Sequence, residues 1–415
     1  MGPAAAAQAP VAVPAPSAPA VRYDESSTRL WFAHRLWHLA LPALFLATGL
    51  SARLAAWARR QNRHRAVADA LYFWIALAGF FVLELPLLYQ SDVVHNQAYG
   101  LSNQSFGRWL ADQGVCFLLV ALVGGLAVPV LYRLLRGSPR RWWLYTGLLA
   151  APAIAFLLWV GPLAIDPLFN HPQPMRDRGL EAEILELASR AGIDQDRVYE
   201  VAKSGVTQRI DAYVIGFLGT QRIVVWDTLL KHLDRREVLF AMGHEMGHYV
   251  LGHVPRLFGV FVLLLLAALF LVHRTAPWVL SRLHDRIGFA SLGDVASLPL
   301  LFILGNLAFL LVLPVGLAYS RQQETEADRF ALELTQDGHS AALAFVKLQQ
   351  HNLTNPNPGA LRTLFRASHP SLVERIAFAN RYRPWETGEP LRYGRLFSPG
   401  ARAAAPPLAA SPPSP

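Results

Sequence analysis

The sequence has one cysteine among 415 residues and few charged residues, and both shortages exclude classes of protein. With Cys116 alone, a disulfide within the chain and a zinc site built from cysteines are excluded. Charged residues make up 16% of the chain, and its net charge of +9 comes without a basic stripe interleaved with aromatic residues. We therefore expect no nucleic-acid partner.

Both ends of the chain have almost no charge and show no hydrophobic periodicity. Residues 1–22 and 399–415 are rich in alanine and proline, a composition that cannot bury enough apolar surface to fold. We predict that both segments are disordered tails. The first also lacks a basic segment followed by an apolar one, so it is not a signal peptide.

Hydrophobic residues make up 53% of the chain and are concentrated in long runs. Crossing a bilayer as a helix takes about 20 apolar residues, and six runs qualify or come close. The predicted spans are Leu36–Ala58, Ala70–Gln90, Gly114–Leu135, Trp142–Leu163, Leu257–Val272 and Leu300–Tyr319. We therefore expect a mainly α protein, a polytopic transmembrane helical bundle with membrane lipid around it.

A polar region, 166–256, separates the fourth and fifth spans. Its pattern predicts one helix followed by three short strands, at Arg178–Ala191, Val198–Ala202, Ala212–Phe217 and Arg222–Trp226. Asp234 and Glu237 then form a capping-box pattern that starts another helix. The predicted organisation is a membrane region (23–165), a small α+β unit (166–256), two further spans (257–319) and a C-terminal segment (320–398).

The predicted helix after Asp234 carries His244-Glu245-x-x-His248. Residues four apart lie on one helical face, so both imidazoles can bind one zinc ion while Glu245 activates a water. After the last span, Glu324 and Asp328 are also four apart, and Glu326 points away from them. We assign Glu324 as third ligand and Asp328 as the carboxylate that fixes a ligand histidine.

Together these segments resemble the integral-membrane CAAX prenyl protease family of zinc peptidases. The similarity extends to 165–170, to 212–230 and to the His-Pro segment Ser368–Ile376. It implies one zinc per chain, bound by His244, His248 and Glu324. It also implies a peptide or protein substrate.

The resemblance assigns further roles. Glu245 becomes the general base, and His369 lies near the substrate carbonyl. Asp211, Ala212 and Tyr213 fall in the substrate-binding hairpin, although the eukaryotic enzymes have asparagine where this chain has Asp211. Those enzymes usually have seven spans rather than six.

We therefore predict a membrane metalloendopeptidase for hydrophobic or membrane-associated peptides, with CAAX or prenylated peptides as one possible class. The alternatives are an HtpX-type quality-control protease and a non-catalytic scaffold with a protease fold. The Arg/Ala/Pro-rich composition indicates a bacterial inner (cytoplasmic) membrane. Arginines after the first, third and fifth spans place the α+β unit outside, whereas the resemblance and the C-terminal arginines place it in the cytosol.

Some polar residues stay outside this scheme. Glu84 lies within the second span, where a carboxylate is either functional or hydrogen-bonded to a neighbouring helix. His34, His38 and His95 show no partner pattern in the sequence. His253 lies off the predicted ligand face and is interpreted as a helix-end residue.

Overall fold

The computed structural model describes residues 9–194, 197–215 and 222–397, and within them the chain is mostly helical. The helices are α1 Ala18–Ala47, α2 Leu50–Gln61, α3 Arg65–Tyr89, α4 His95–Ala98, α5 Phe106–Gly137, α6 Trp142–Val160, α7 Asp166–Phe169, α8 Arg178–Arg190, α9 Asp227–His232, α10 Arg235–Val250, α11 His253–Ile287, α12 Leu298–Thr335, α13 Gly338–His351, α14 Ala360–Phe365, α15 Leu372–Arg381 and α16 Pro384–Thr387. The strands are β1 Gln173–Pro174, β2 Val198–Val201, β3 Ala212–Ile215 and β4 Arg222–Trp226.

Within the described residues, five helical stretches are long and apolar enough to cross a membrane. They are Arg65–Ala98, Phe106–Gly137, Trp142–Phe169, His253–Ile287 and Val295–Thr335, and two of them contain a π-helical turn, at Gln90–Val94 and Gly161–Ile165. Only 6–17% of the residues in their apolar windows are buried inside the protein, so most of these side chains face outward. The predicted helical membrane bundle is confirmed for these five spans.

The first predicted span is not one continuous helix. Helices α1 and α2 meet at an angle of 67°, and the break lies inside the predicted run Leu36–Ala58. Gly49 adopts a left-handed backbone conformation (φ 68°), which ends one helix and starts the next. The bent pair counts as a sixth span only if both helices form one crossing. Hydropathy does not detect the break because the residues around it are apolar.

The structure corrects the predicted disordered tail 1–22 at residues 18–22, which are helical. Helix α1 starts at Ala18, where the Ser17 hydroxyl accepts a hydrogen bond from the Ala20 N–H. Further back, the Val11 N–H donates to Asn380 Oδ1 (3.0 Å), and the Asn380 amide donates to the Val11 carbonyl (2.9 Å). Contacts with a distant part of the chain thus order a stretch of low sequence complexity. Residues 1–8 and 398–415 lie outside the described residues.

A small sheet in the order β1-β2-β4-β3 stands on the membrane bundle. Strands β2 and β4 are parallel, with Val198 opposite Ile223, and the other two pairs are antiparallel. Strand β3 therefore forms one edge of the sheet within the described residues. The last two residues of the strand predicted at Ala212–Phe217 lie outside them.

One hydrophobic core joins the two regions that the sequence division separated, 166–256 and 320–398. It combines buried residues of α8, β2, β4, α10, α12, α13 and α15. Met242 and Met246 of α10 and Phe330 and Leu334 of α12 are completely buried where these two helices pack. Since α12 is also a membrane span, the core ties the α+β unit to the bundle.

Candidate metal centre

Helix α10 carries the two histidines of the motif, and a capping box fixes where it starts. The Asp234 N–H donates to Glu237 Oε2 (2.7 Å), and the Asp234 side chain accepts from the backbone of the same turn. Lys347 forms an ion pair with the buried Glu237 carboxylate (2.7 Å). The predicted capping box is therefore present and starts the helix. Because His244 and His248 are four residues apart on this helix, they lie on the same face.

Close packing of α12 against α10 brings in the third candidate ligand. A Cβ atom at Gly247 would lie 3.2 Å from Ala327 Cα, so the glycine permits an approach that a larger residue would obstruct. This approach places Glu324, one turn before Asp328, beside both histidines. The three polar side chains thus reach one point from two different helices.

The three candidate ligand side chains, His244, His248 and Glu324, form a triangle, with one ligand atom of each within 4.8 Å of the other two. His244 Nε2 lies 3.2 Å from His248 Nε2 and 3.2 Å from Glu324 Oε2, and His248 Nε2 lies 3.4 Å from Glu324 Oε1. Tetrahedral zinc with bond lengths near 2.0–2.2 Å separates its ligand atoms by about 3.3 Å. Glu324 Oε2 is also buried without a well-formed hydrogen bond among the described residues. The triangle therefore fits a zinc ion with one position left open.

Asp328 lies behind His244, as the sequence predicts. Its Oδ1 atom is 2.9 Å from His244 Nδ1, the nitrogen on the far side of the ring from the other ligands. Arg375 donates to both carboxylate oxygens of Asp328, from Nη2 at 2.6 Å and from Nε at 2.8 Å. This arrangement holds a proton on Nδ1 of His244 and leaves Nε2 for the metal.

The two histidines differ in basicity without a metal. Burial by itself would lower the pKa of His244, but the neighbouring carboxylates of Asp328 and Glu324 raise it to about 10. Burial, followed by the charge of His244, lowers the pKa of His248 to about 3. Without a metal the pair therefore carries one positive charge near neutral pH, at the place where a cation would be bound.

The sequence interpretation missed the role of His253. This residue begins α11 after a left-handed turn at Gly252 (φ 65°), and its Nδ1 lies 2.9 Å from His248 Nδ1. Its Nε2 faces Glu326 Oε2 at 3.5 Å. His253 is thus a helix-end residue, as predicted, but it also contacts a ligand histidine. Glu326 lies outside the ligand triangle and contacts this outer histidine.

Sequence periodicity also missed Arg375. The residue belongs to the Ser368–Ile376 segment, but no local pattern links it to Asp328, which lies 47 positions earlier in the chain. Its side chain is 10% exposed, and its guanidinium carbon lies 4.3 Å from the centre of the Phe345 ring. Its position depends on how α15 packs on α12 and α13.

A cleft of about 460 Å³ opens beside the triangle. His244 and Glu245 line one part of it, and His369 lines another. His369 Nε2 is 3.2 Å from Glu324 Oε2, and 53% of this side chain is exposed. The predicted catalytic side chains, Glu245 and His369, therefore face the same opening as the candidate ligand His244.

The three residues predicted to bind substrate divide between two surfaces. Asp211 and Ala212 line the cleft, at the start of edge strand β3. The Tyr213 hydroxyl instead lies near Asp166 Oδ1, at 3.5 Å. Successive side chains of a strand point to opposite faces, so Ala212 and Tyr213 cannot both face the cleft.

Comparison with known proteins accounts for this arrangement. A family model described as peptidase family M48 matches residues 174–383, about half of the chain. The chain belongs to peptidase family M48. A second model, described as the CAAX prenyl protease N-terminal region with five membrane helices, matches residues 17–171. This M48 protein is therefore a membrane metalloprotease, and the predicted family resemblance is confirmed.

Several relatives are similar to this M48 protein over most of its length. It is 35% identical over 341 residues to the uncharacterized metalloprotease YhfN of Bacillus subtilis, covering 81% of this chain and 79% of that protein. It is 28% identical over 320 residues to the CAAX prenyl protease 1 homolog of Dictyostelium discoideum, covering 74% and 72%. The crystal structure of S. mikatae Ste24p has the same fold, with a TM-score of 0.72, 20% identity, and coverage of 86% and 87%.

Proposed function

We propose that this M48 protein is a zinc-dependent endopeptidase that cleaves hydrophobic or membrane-associated peptides in the cleft beside Glu245. The triangle of His244, His248 and Glu324 carries this proposal, since the distances between nitrogen and oxygen atoms of these side chains, 3.2–3.4 Å, are close to the separation of the ligand atoms of tetrahedral zinc. The intact set of ligands, base and cleft argues against a non-catalytic scaffold.

Zinc held by these three side chains would supply a Lewis acid that polarises a water molecule and a peptide carbonyl. Glu245 follows the first ligand in sequence and lines the cleft, where its carboxylate takes the proton of the attacking water. The same carboxylate then returns that proton to the leaving amine. Asp328 keeps His244 in the tautomer that binds through Nε2.

His369 is placed to act on the other side of the reacting bond. Its ring lies at the rim of the cleft, and the Ser368 hydroxyl lies 2.9 Å from Nδ1. A proton on Nε2 can hydrogen-bond to the oxygen on which negative charge develops as the carbonyl is attacked. We therefore assign His369 to oxyanion stabilisation.

Strand β3 supports binding of an extended peptide. Its inner edge pairs with β4, with Ala212 opposite Val225, so its outer edge has backbone groups that a substrate can pair with as an added strand. The apolar walls of the cleft favour a hydrophobic peptide. They include Trp226, Leu229, Phe240 and Phe345.

The proposal also includes a substrate class. Several relatives are named CAAX prenyl proteases, and the Bacillus relative is named only as a metalloprotease. We therefore propose hydrophobic peptides of the bacterial inner membrane as the general class, with prenylated peptides as the narrower candidate. An HtpX-type quality-control role would instead show as cleavage of unfolded membrane proteins.

The decisive experiment compares wild type with Glu245→Gln, both purified in detergent. We expect about one catalytic zinc in each protein but a loss of peptide cleavage of about 10²-fold or more in the variant, because the base is removed and the ligands remain. Glu389→Gln, at an exposed position away from the cleft, is the matched control and should keep full activity. Equal cleavage by the wild type and Glu245→Gln would refute the assignment of the base.

A further inference from the structure

A second cluster of ligand-type side chains lies within the membrane-spanning part of the protein. His34 and His38 are four residues apart on α1, and Glu84 lies on α3. His38 Nε2 is hydrogen-bonded to Glu84 Oε1, and His34 Nδ1 lies 3.8 Å from the same oxygen. One ligand atom from each residue lies within 4.8 Å of the other two. The sequence pattern did not reveal this grouping, because it depends on how α1 packs against α3.

The composition of this cluster repeats that of the catalytic triangle. Each contains two histidines at i and i+4 on one helix and a glutamate from another helix. Among the described residues, these are the two groups of three or more such side chains that come close enough to share a metal ion. Two imidazoles and a carboxylate are a donor set that suits Zn²⁺ and related divalent cations.

Hydrogen bonding leaves a nitrogen lone pair of His34 facing the carboxylate. His34 Nε2 lies 3.0 Å from the Ser91 hydroxyl, which donates its own proton to Leu88 O or to Asp92 Oδ1. The hydroxyl therefore accepts from His34, so the proton of a neutral imidazole is on Nε2. The unprotonated Nδ1 then points towards the oxygen of Glu84, and a cation between them would satisfy both atoms. A bond on the outer nitrogen is also the feature that orients metal-binding histidines.

The local helix geometry supplies this orienting hydroxyl. Ser91 lies in the π-helical turn Gln90–Val94, which follows Pro86 at the end of α3. Such turns insert a residue into a helix and occur often at functional sites. The change of register places Ser91 beside α1.

The three side chains of the cluster are partly exposed, and the Glu84 carboxylate needs a positively charged partner. The side chains of His34, His38 and Glu84 are 18%, 29% and 21% exposed, so the site is not sealed. The ion pairs of Glu84 within the described residues are those with these two histidines. A carboxylate in a membrane-spanning helix is costly unless it is paired or binds an ion.

We propose that His34, His38 and Glu84 form a second divalent-metal site, with Zn²⁺ as the favoured ion, which links α1 to α3. The site is separate from the catalytic triangle. His38 packs against Phe302 (6.4 Å between ring centres), which precedes Glu324 on α12 by about six turns, roughly 30 Å. The second site therefore does not depend on the proposed peptidase activity.

Metal counting in a protein without the first site tests this proposal. The double variant His244→Ala/His248→Ala is purified, equilibrated with ZnCl₂, desalted and analysed for bound zinc. We expect about two zinc ions per chain in wild type and about one in the double variant. Adding His38→Ala should remove the last zinc, whereas adding His273→Ala, a histidine in another membrane helix, should leave it in place.

The outcomes separate the two sites. A folded double variant that binds no zinc would reduce the second cluster to a proton-sharing pair and overturn the proposal. Zinc that persists after His38→Ala would belong elsewhere and would also overturn it. Size-exclusion chromatography identifies any variant that fails to fold.

A second readout uses a conservative change. Glu84→Gln in the double-variant background keeps the size of the side chain but removes its charge. We expect its affinity for Co²⁺, followed by the visible absorption of the four-coordinate ion, to fall at least tenfold relative to the double variant. Unchanged Co²⁺ affinity would contradict the role of Glu84 as a ligand.

Discussion

Arg375 contacts the candidate metal centre through Asp328 and not through a candidate ligand atom. It holds Asp328 through two hydrogen bonds, and Asp328 in turn faces His244 Nδ1. Lysine has a single donor group and cannot reproduce this two-point contact. Loss of such outer contacts typically weakens metal binding by about 10–100-fold.

We therefore predict that Arg375→Lys lowers zinc affinity by about 10–100-fold while the protein stays folded. Competition with a chelator of known affinity measures the change. Arg381→Lys, an exposed position on the same helix, serves as the control and should have the affinity of wild type. Equal affinities for the two variants would mean that Asp328 needs no partner to orient His244.

The individual residues of the centre differ in how far the sequence could predict them. His244 with His248, and Glu324 with Asp328, are each four apart on a helix, and this local periodicity is visible in the sequence. His253 reaches its neighbour only because the chain turns at Gly252, and Arg375 acts across a tertiary contact. Such residues cannot be assigned from spacing, because their partners are set by packing.

The contact between α10 and α12 depends on two glycines that differ in their clearance. A Cβ at Gly247 would lie 3.2 Å from Ala327 Cα, which is tighter than ordinary packing. A Cβ at Gly243 would lie 3.5 Å from Ala331 Cα, an ordinary van der Waals distance. The same substitution should therefore have different effects one helical turn apart.

We predict that Gly247→Ala separates α10 from α12 and weakens zinc binding, because Glu324 moves away from the two histidines. The cost of such overpacking is about 1–3 kcal/mol. Gly243→Ala is the matched control and should be close to neutral. Zinc affinity and thermal unfolding of both variants test this. Identical behaviour of the two variants would show that α12 adjusts without moving its ligand.

Among the larger elements, capping and hydropathy predict α10 and the five long spans. They predict neither the break at Gly49 nor the ordered residues 9–22. Hydropathy reports length and apolar content, so it does not register a change of helix direction inside an apolar run. Likewise, composition does not register that Asn380 supplies two hydrogen bonds to Val11. The break depends on the local backbone geometry at Gly49. The contacts of Val11 depend on a partner that is distant in the sequence.

In the folded molecule, the start of α1 lies beside the C-terminal segment (320–398), which shares one core with the α+β unit. Tyr23 donates a hydrogen bond to Asn96 (2.9 Å), Asp24 pairs with Arg362, and Arg366 donates to Thr28 (2.6 Å). The chain must therefore cross the membrane an even number of times between α1 and the sheet. Helices α3, α5 and α6 supply three crossings, so the bent pair α1–α2 supplies the fourth.

Contacts at the opposite end agree with this count. Arg59 forms an ion pair with Asp294 (2.8 Å), and Arg136 donates to the carbonyl of Gly293 (3.3 Å). The connections that follow α2, α5 and α11 therefore meet at the end of the membrane bundle opposite the α+β unit. These connections also hold the arginines that the positive-inside rule assigns to the cytoplasm.

We predict that single cysteines, in a Cys116→Ser background, divide into two groups by their reactivity with an impermeant thiol reagent. Gly107→Cys and Arg395→Cys should react from one side of the membrane, and Arg63→Cys and Arg140→Cys from the other. Reaction of Gly107→Cys and Arg63→Cys from the same side would contradict a full crossing by α3. Reactivity of the Arg395 position from outside intact cells would follow the arginine distribution, and reactivity only after lysis would follow the cytosolic orientation implied by the CAAX protease resemblance.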